Sequence, residues 1–217
     1  MTTATQQALN GLRDLSMLKW YIIPLMALVF YVYTREIKEA KETGDWNAVL
    51  AGWTIFGVDF FNETWNGWVM HLTQRSALWT TPGDTALRTM VGWNIEIMFM
   101  FLLLGIIYVH TLSDSRKETI LGIPETWFWA IGYSVFCVFI ECLLNVGGHL
   151  VWEYPFWSLS VKGVWLIFLI GYFHFFCFAI LVISLKSMKA KLTTVGLIFA
   201  VPAIMNILAL GFWGWTY

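Results

Sequence analysis

The sequence predicts an all-α integral membrane protein, a single bundle of six transmembrane helices with no soluble domain. Three observations carry that expectation. Only 12% of the 217 residues are charged while 59% are hydrophobic, about half the charged fraction that a water-facing surface needs. Six apolar stretches are each long enough for a hydrocarbon core of about 30 Å, which takes roughly 20 helical residues. Every linker between them is too short to bury a core of its own.

Taken in order, the predicted spans lie near 18–34, 49–72, 89–110, 126–150, 163–185 and 194–215. The first follows a polar lead-in that carries Arg13 and Asp14 and shows no small-residue cleavage site, so it reads as a span rather than a removed signal peptide. The second is interrupted by Asp59, Asn62, Glu63 and Asn66; a re-entrant segment there would invert everything downstream. The other four are continuous apolar runs rather than alternating ones. Lipid leaves no backbone group paired, so continuous runs favour helices over a barrel. Gly147 and Gly148 read as a helix-ending or close-packing pair, and Pro202 as a kink in the sixth span that turns Asn206 inward.

Six crossings sort the loops onto two sides. One side holds Arg35, Lys38, Lys41, Arg116, Lys117, Lys186, Lys189 and Lys191, eight basic residues, against five on the other. The excess assigns the first side to the cytoplasm and both termini to the extracytoplasmic face. A net charge of -1 without a basic block excludes nucleic acid as a partner. The bilayer is the expected partner. Cys137, Cys142 and Cys177 sit in apolar runs without metal or disulfide spacing and read as small buried hydrophobes.

The informative residues are the polar ones inside the spans. Asp59, Glu63, Glu96 and Glu141 lie there with Asn66, Asn94, Asn145, Asn206 and His174. A charged group at mid-bilayer costs at least ~2.5 kcal/mol on insertion scales, so such groups face the bundle interior and mark function. Asp59, Glu63 and Asn66 share one helix face by their spacing of four and three, and Glu141, Asn145 and His149 follow at intervals of four. From the predicted extracytoplasmic ends, Glu63, Glu96, Glu141 and Asn206 all fall roughly 10–13 Å deep, with His71 and His149 at the mouth. One off-centre pocket explains that layer more simply than a pore. Trp65 and Trp93 stand within three residues of Glu63 and Glu96, and Trp68 five residues beyond Glu63; an aromatic wall beside acids suits an apolar or cationic ligand. The plainer alternative for the terminal tryptophans is an interfacial belt, and for the acids neutral interhelical glue.

These residues fit an enzyme performing acid/base chemistry on a lipophilic, lipid- or terpenoid-like small molecule, as an isomerase, cyclase or dehydratase does. Burial raises a carboxyl pKa, so one acid can donate a proton while a neighbour accepts one. Glu63 and Glu141 are the principal pair, with Glu96 and Asp59 in support. Asn66, Asn94, Asn145, Asn206, Trp65, Trp68, Trp93, His149 and His174 are the candidates for holding the substrate. No cofactor is expected. A small proton-coupled transporter is the first alternative, with a homo-oligomer supplying what one chain lacks. A metal-dependent oxidoreductase using Glu63, Glu96, Glu141, His71, His149 and His174 is the second, although the paired Glu-x-x-His signature of helical di-iron sites is absent. A purely structural subunit is the last.

Overall fold

In the computed structural model, which describes residues 1–217, six long helical rods run back and forth. They are α2 (Ile22–Thr43), α3 (Asn47–Thr73), α4 (Ile95–Thr111), α5 (Glu125–Val146), α6 and α7 (Val161–Leu166 and His174–Ser184) fused through a π-helical segment at Ile167–Phe173, and α8 (Met188–Asn206), which ends in a second π-helical segment at Ile207–Phe212. A short helix, α1 (Thr3–Asn10), precedes them. Three rods are long and apolar enough to cross a membrane: Glu125–Val146, Val161–Ser184 and Met188–Phe212. α4 is as apolar but shorter, at 17 residues.

Local chemistry sets the ends of the rods. Gly44 terminates α2 in the left-handed conformation (φ 80°), its N–H bonded to the Ala40 carbonyl. Asp45 Oδ1 accepts the Asn47 N–H at 2.8 Å and opens α3. Asn94, Ser160 and Ser187 are side-chain N-caps of α4, α6 and α8. Gly148 (φ 74°) turns the chain out of α5.

α3 is the central rod and packs along α4, α7 and α8. Its seam with α4 is unusually close. A Cβ on Gly105 would stand 2.3 Å from the Ala51 carbonyl oxygen, and one on Gly52 would stand 2.6 Å from that of Leu102. Only glycines let the two backbones meet in this way. The main core grows from the same seam, with Ile55, Phe101, Leu104, Tyr108, Phe175 and Phe176 packed across α3, α4 and α7.

Polar contacts knit the loops together at the two ends of the bundle. At one end Arg116 pairs with Asp45 at 2.5 Å and Lys191 Nζ donates to Asn47. At the other, the chain before α2 folds over the loops: Thr2 and Thr5 donate to Glu153, and Arg13 donates to the Thr89 and Tyr217 carbonyls. Arg88, 2% exposed, donates to the carbonyls of Thr81, Gly83 and Ala8.

The expectation of an all-α chain needs correction in these loops, which contain three two-stranded antiparallel sheets. β1 (Trp79–Thr80) pairs with β6 (Val151–Trp152), β2 (Arg88–Met90) with β3 (Trp93–Asn94), and β4 (Thr119–Ile120) with β5 (Ile123–Pro124). Loops that cover the bundle end bury backbone groups, and pairing satisfies them. The predicted third span began too early for the same reason. Residues 88–94 form the β2–β3 hairpin, so α4 starts at Ile95 and Glu96 lies in its first turn rather than deep within it.

Candidate functional site

Asp59, Asn62, Glu63 and Asn66 come to one side of α3 because their spacing repeats the helical turn, and all four are buried. Glu141 occupies the buried stripe of α5 that includes Ser134, Cys137 and Val138. Between these helices lies a cavity of about 380 Å³ lined by Asp59, Asn62, Glu63, Glu141, Trp79 and Tyr172, with an apolar remainder. No lysine, arginine or histidine is among the lining residues. The rim carries Met100 and Ile107 of α4 and Phe136 of α5, which are 45%, 50% and 56% exposed on the outer surface. The cavity therefore opens sideways between α4 and α5, on an apolar flank.

Each of the three acids accepts a hydrogen bond from an indole N–H. Trp93 Nε1 donates to Asp59 Oδ2 at 2.6 Å, Trp79 Nε1 to Glu63 Oε1 at 2.8 Å, and Trp152 Nε1 to Glu141 Oε1 at 2.8 Å. A hydrogen bond to a charged group is worth about 1.5–3 kcal/mol. Trp79 and Trp152 are directly opposite partners in the β1–β6 sheet, so one ribbon of loop backbone holds Glu63 on α3 and Glu141 on α5. Trp79 also stacks on Trp157 at 5.3 Å and 28°. Trp93 lies flat between Phe56 and Phe60, both at 5.5 Å.

The position of Trp79 is set by Asn66. Its Oδ1 accepts the Leu78 and Trp79 N–H groups at 2.7 and 3.2 Å, and its Nδ2 donates to the Trp79 carbonyl at 2.8 Å. The amide takes the place of a further strand against β1. One oxygen of the site stays unpaired: Glu63 Oε2 is buried with no hydrogen-bond partner. It faces Gly92, where a Cβ would approach to 2.7 Å. The Trp157 Nε1, also buried and on a lining residue, has no partner either.

The π-helical turn of the fifth rod supplies the wall opposite α3. Gly171 and Tyr172 line the cavity, and Asn62 Nδ2 donates to the Ile170 carbonyl at 3.3 Å. His174 Nε2 meets Asn62 Oδ1 at 3.2 Å, so the histidine stands behind the wall rather than in it. Extra residues in a helical turn of this kind are frequent at functional sites.

Glu63, Glu141 and Asp59 thus meet as the sequence suggested. Glu96 does not join them. It accepts from Thr85 Oγ1 at 2.6 Å, Ala86 N at 2.7 Å and the Tyr21 hydroxyl, and pins the loop before α4. Most of the expected substrate-holding residues also serve the frame. Asn94 caps α4, Asn145 donates to the Leu150 carbonyl at 3.0 Å, and Asn206 bridges Thr64, Pro202 and the Tyr217 hydroxyl. Trp65 is 43% exposed, Trp68 packs on Trp213 and Trp215, and His149 is exposed beyond α5. His71 stacks on Trp215 at 4.7 Å and bonds to Thr216. Of the six residues of the metal alternative, Glu96, His71 and His149 therefore lie away from Glu63 and Glu141, and no three His, Cys, Asp or Glu side chains converge at metal-binding spacing. The residues that sequence reasoning missed are Trp79, Trp152, Trp157 and Tyr172. The first three lie in loops, and only the fold brings them to the acids.

Three long apolar helices, an apolar outer flank and a buried cluster of acids on α3 and α5 define an integral membrane protein of the helical class. The chain belongs to a family described as an uncharacterized membrane protein family, matched over residues 2–211. It is 39% identical, over 214 residues and 99% of both chains, to a protein of Archaeoglobus fulgidus described as an uncharacterized protein. No solved structure matches it.

Proposed function

We propose that this chain is a membrane-embedded enzyme that performs acid/base chemistry on a lipophilic small molecule. In this reading it crosses the bilayer six times as one bundle, with both termini on the extracytoplasmic face. The observation that carries the proposal is the pairing of three buried carboxyls with a cavity that opens sideways between α4 and α5. A lipophilic substrate arrives from the bilayer, and a lateral mouth lined by Met100, Ile107 and Phe136 admits it without passage through water.

The chemistry follows from crowding. Like charges confined together in low dielectric do not all ionise, so a set of three carboxyls can hold a proton and also accept one. Glu63 and Glu141 are the principal donor and acceptor, on opposite walls, and Asp59 one turn from Glu63 supports them. Indole N–H groups fix one oxygen of each acid and leave the other to the substrate. The stacked rings of Trp79 and Trp157 present a π-face to positive charge that develops on carbon.

An isomerase or a proton-initiated cyclase adds a solvent-derived proton to carbon, so turnover in deuterated water leaves carbon-bound deuterium, whereas a dehydratase gives a new species lighter by one water. The protein in nanodiscs is incubated in deuterated water with a lipid extract of its source cells, and the lipids are analysed by mass spectrometry. The expected result is a labelled or new species that is reduced about a hundredfold by Glu63→Gln or Glu141→Gln, the usual scale of a general acid or base. Identical labelling by wild type and both variants sinks the assignment. Solute uptake driven by a proton gradient in sealed proteoliposomes, with no labelled or new lipid, favours a transporter instead.

A further inference from the structure

The geometry points to a substrate with a single apolar tail and an uncharged or cationic head rich in N–H or O–H donors, seated head-inward against Glu63. This rests on the acid/base reading of the same cavity and specifies what enters it. Three observations converge on the head. The lining offers acceptors from Asp59, Glu63 and Glu141 and contains no basic side chain, so a carboxylate or phosphate head would find no cation to pair with. Glu63 Oε2, on a side chain 3% exposed, has no partner and lies so near the Gly92 backbone that a Cβ there would stand 2.7 Å from it. A buried acceptor without a partner costs about 1–3 kcal/mol, and a donor head removes that cost. The stacked faces of Trp79 and Trp157 border the same end and attract positive charge.

The other end sets the tail. Between α4 and α5 the walls are Leu103, Leu104, Ile140 and Leu144, with Met100 and Phe136 at the rim, so the mouth accepts hydrocarbon only. A volume of about 380 Å³ lies near the lower end of the roughly 300–1,000 Å³ of small-molecule pockets. That suits one medium chain with a small head. A two-tailed phospholipid exceeds it. The unpaired Trp157 N–H adds a single donor, which suits a head that also carries one acceptor lone pair, as an alcohol does.

The test uses radiolabelled decylamine, decanol and decanoate, matched in tail and differing in head, bound to the full chain in phosphatidylcholine nanodiscs. Decylamine and decanol are expected to bind saturably above empty nanodiscs, and decanoate is not. Glu63→Gln is expected to weaken decylamine about tenfold or more, since an amide cannot form the ion pair that the carboxyl forms with an amine. Ile107→Trp, at the exposed rim, is expected to reduce both ligands by occluding the mouth without disturbing the acids. Decanoate binding as tightly as decylamine overturns the inference, as does decylamine affinity unchanged in Glu63→Gln, or no saturable decylamine binding in a protein whose thermal unfolding is cooperative. The deuterium experiment is independent: preference for decanoate with label lost in Glu63→Gln refutes the head assignment alone. Amine binding with label untouched by the Gln variants refutes the acid/base reading alone.

Discussion

Asn66 offers the sharpest test of how the site is held. It is fully buried, and one amide satisfies the Leu78 N–H and both backbone groups of Trp79. Asn66→Ala deletes all three bonds at once. If the loop remained docked, three buried backbone groups would stay orphaned at about 1–3 kcal/mol each. The loop can escape part of that by peeling off and meeting water, which limits the loss to the bonds themselves, about 1 kcal/mol apiece. The smaller figure governs, so the variant is destabilised by roughly 3 kcal/mol. For a chain of this size that lowers the unfolding midpoint by roughly 6–12 °C. Asn66→Asp keeps the two acceptor contacts but turns an oxygen toward the Trp79 carbonyl and buries a further carboxyl near Glu63, so it too is destabilised. The assay is thermal unfolding in mild detergent, with limited proteolysis between residues 74 and 87 as a second readout. An Asn66→Ala midpoint within about a degree of wild type, with the loop still resistant to protease, would refute the clamp.

Further outcomes follow from other parts of the fold. Gly105→Ala drives a Cβ toward the Ala51 carbonyl oxygen at 2.3 Å; neither backbone can yield, so a loss of about 1–3 kcal/mol or more is expected in thermal unfolding. Cysteines at the exposed positions Thr3 and Thr216 are expected to label from the same side of sealed vesicles, and labelling from opposite sides would contradict an even number of crossings. The Asp45 carboxyl lies below its ordinary value of 3.8: partial burial raises it, but the Asn47 N–H and Arg116 lower it further. A depressed carboxyl stabilises the fold above about pH 4 and loses that contribution as pH falls through the folded value. The acid transition of wild type should therefore begin at higher pH than that of Asp45→Asn, once each is referred to its own neutral stability.

Much of the frame was legible because it depends on local periodicity. Asp59, Glu63 and Asn66 repeat at the helical turn, and membrane insertion forces acids inward, so the meeting of Glu63 with Glu141 followed from spacing and depth. Glu96 was misplaced because depth was counted from an assumed start at residue 89. Two local signals, Gly92 and the cap at Asn94, mark the true start of α4, and apolar Met90 and Val91 concealed them. Asn66 and Asn206 were recognised as interior but not as scaffolding, since an amide that binds substrate and one that binds backbone look the same in sequence. The indole–acid pairs were illegible for a different reason. Trp79 and Glu63 are sixteen residues apart, and Trp152 reaches Glu141 only after the chain reverses at Gly148. Such contacts belong to tertiary geometry, not to any period.

The β1–β6 ribbon has a consequence for how this protein can change over time. Trp79 and Trp152 face each other, and side chains alternate sides along a strand. Adding or removing one residue between Val146 and Val151 would slip the pairing and turn Trp152 away from Glu141. The stretch from Pro82 to Leu87, by contrast, leads out of β1 and back to β2 without carrying an indole to an acid. Length variation among related chains should therefore accumulate in the second stretch and be purged from the first. The geometry of the chemistry would then be written into the places where insertions are missing, as much as into the acids themselves.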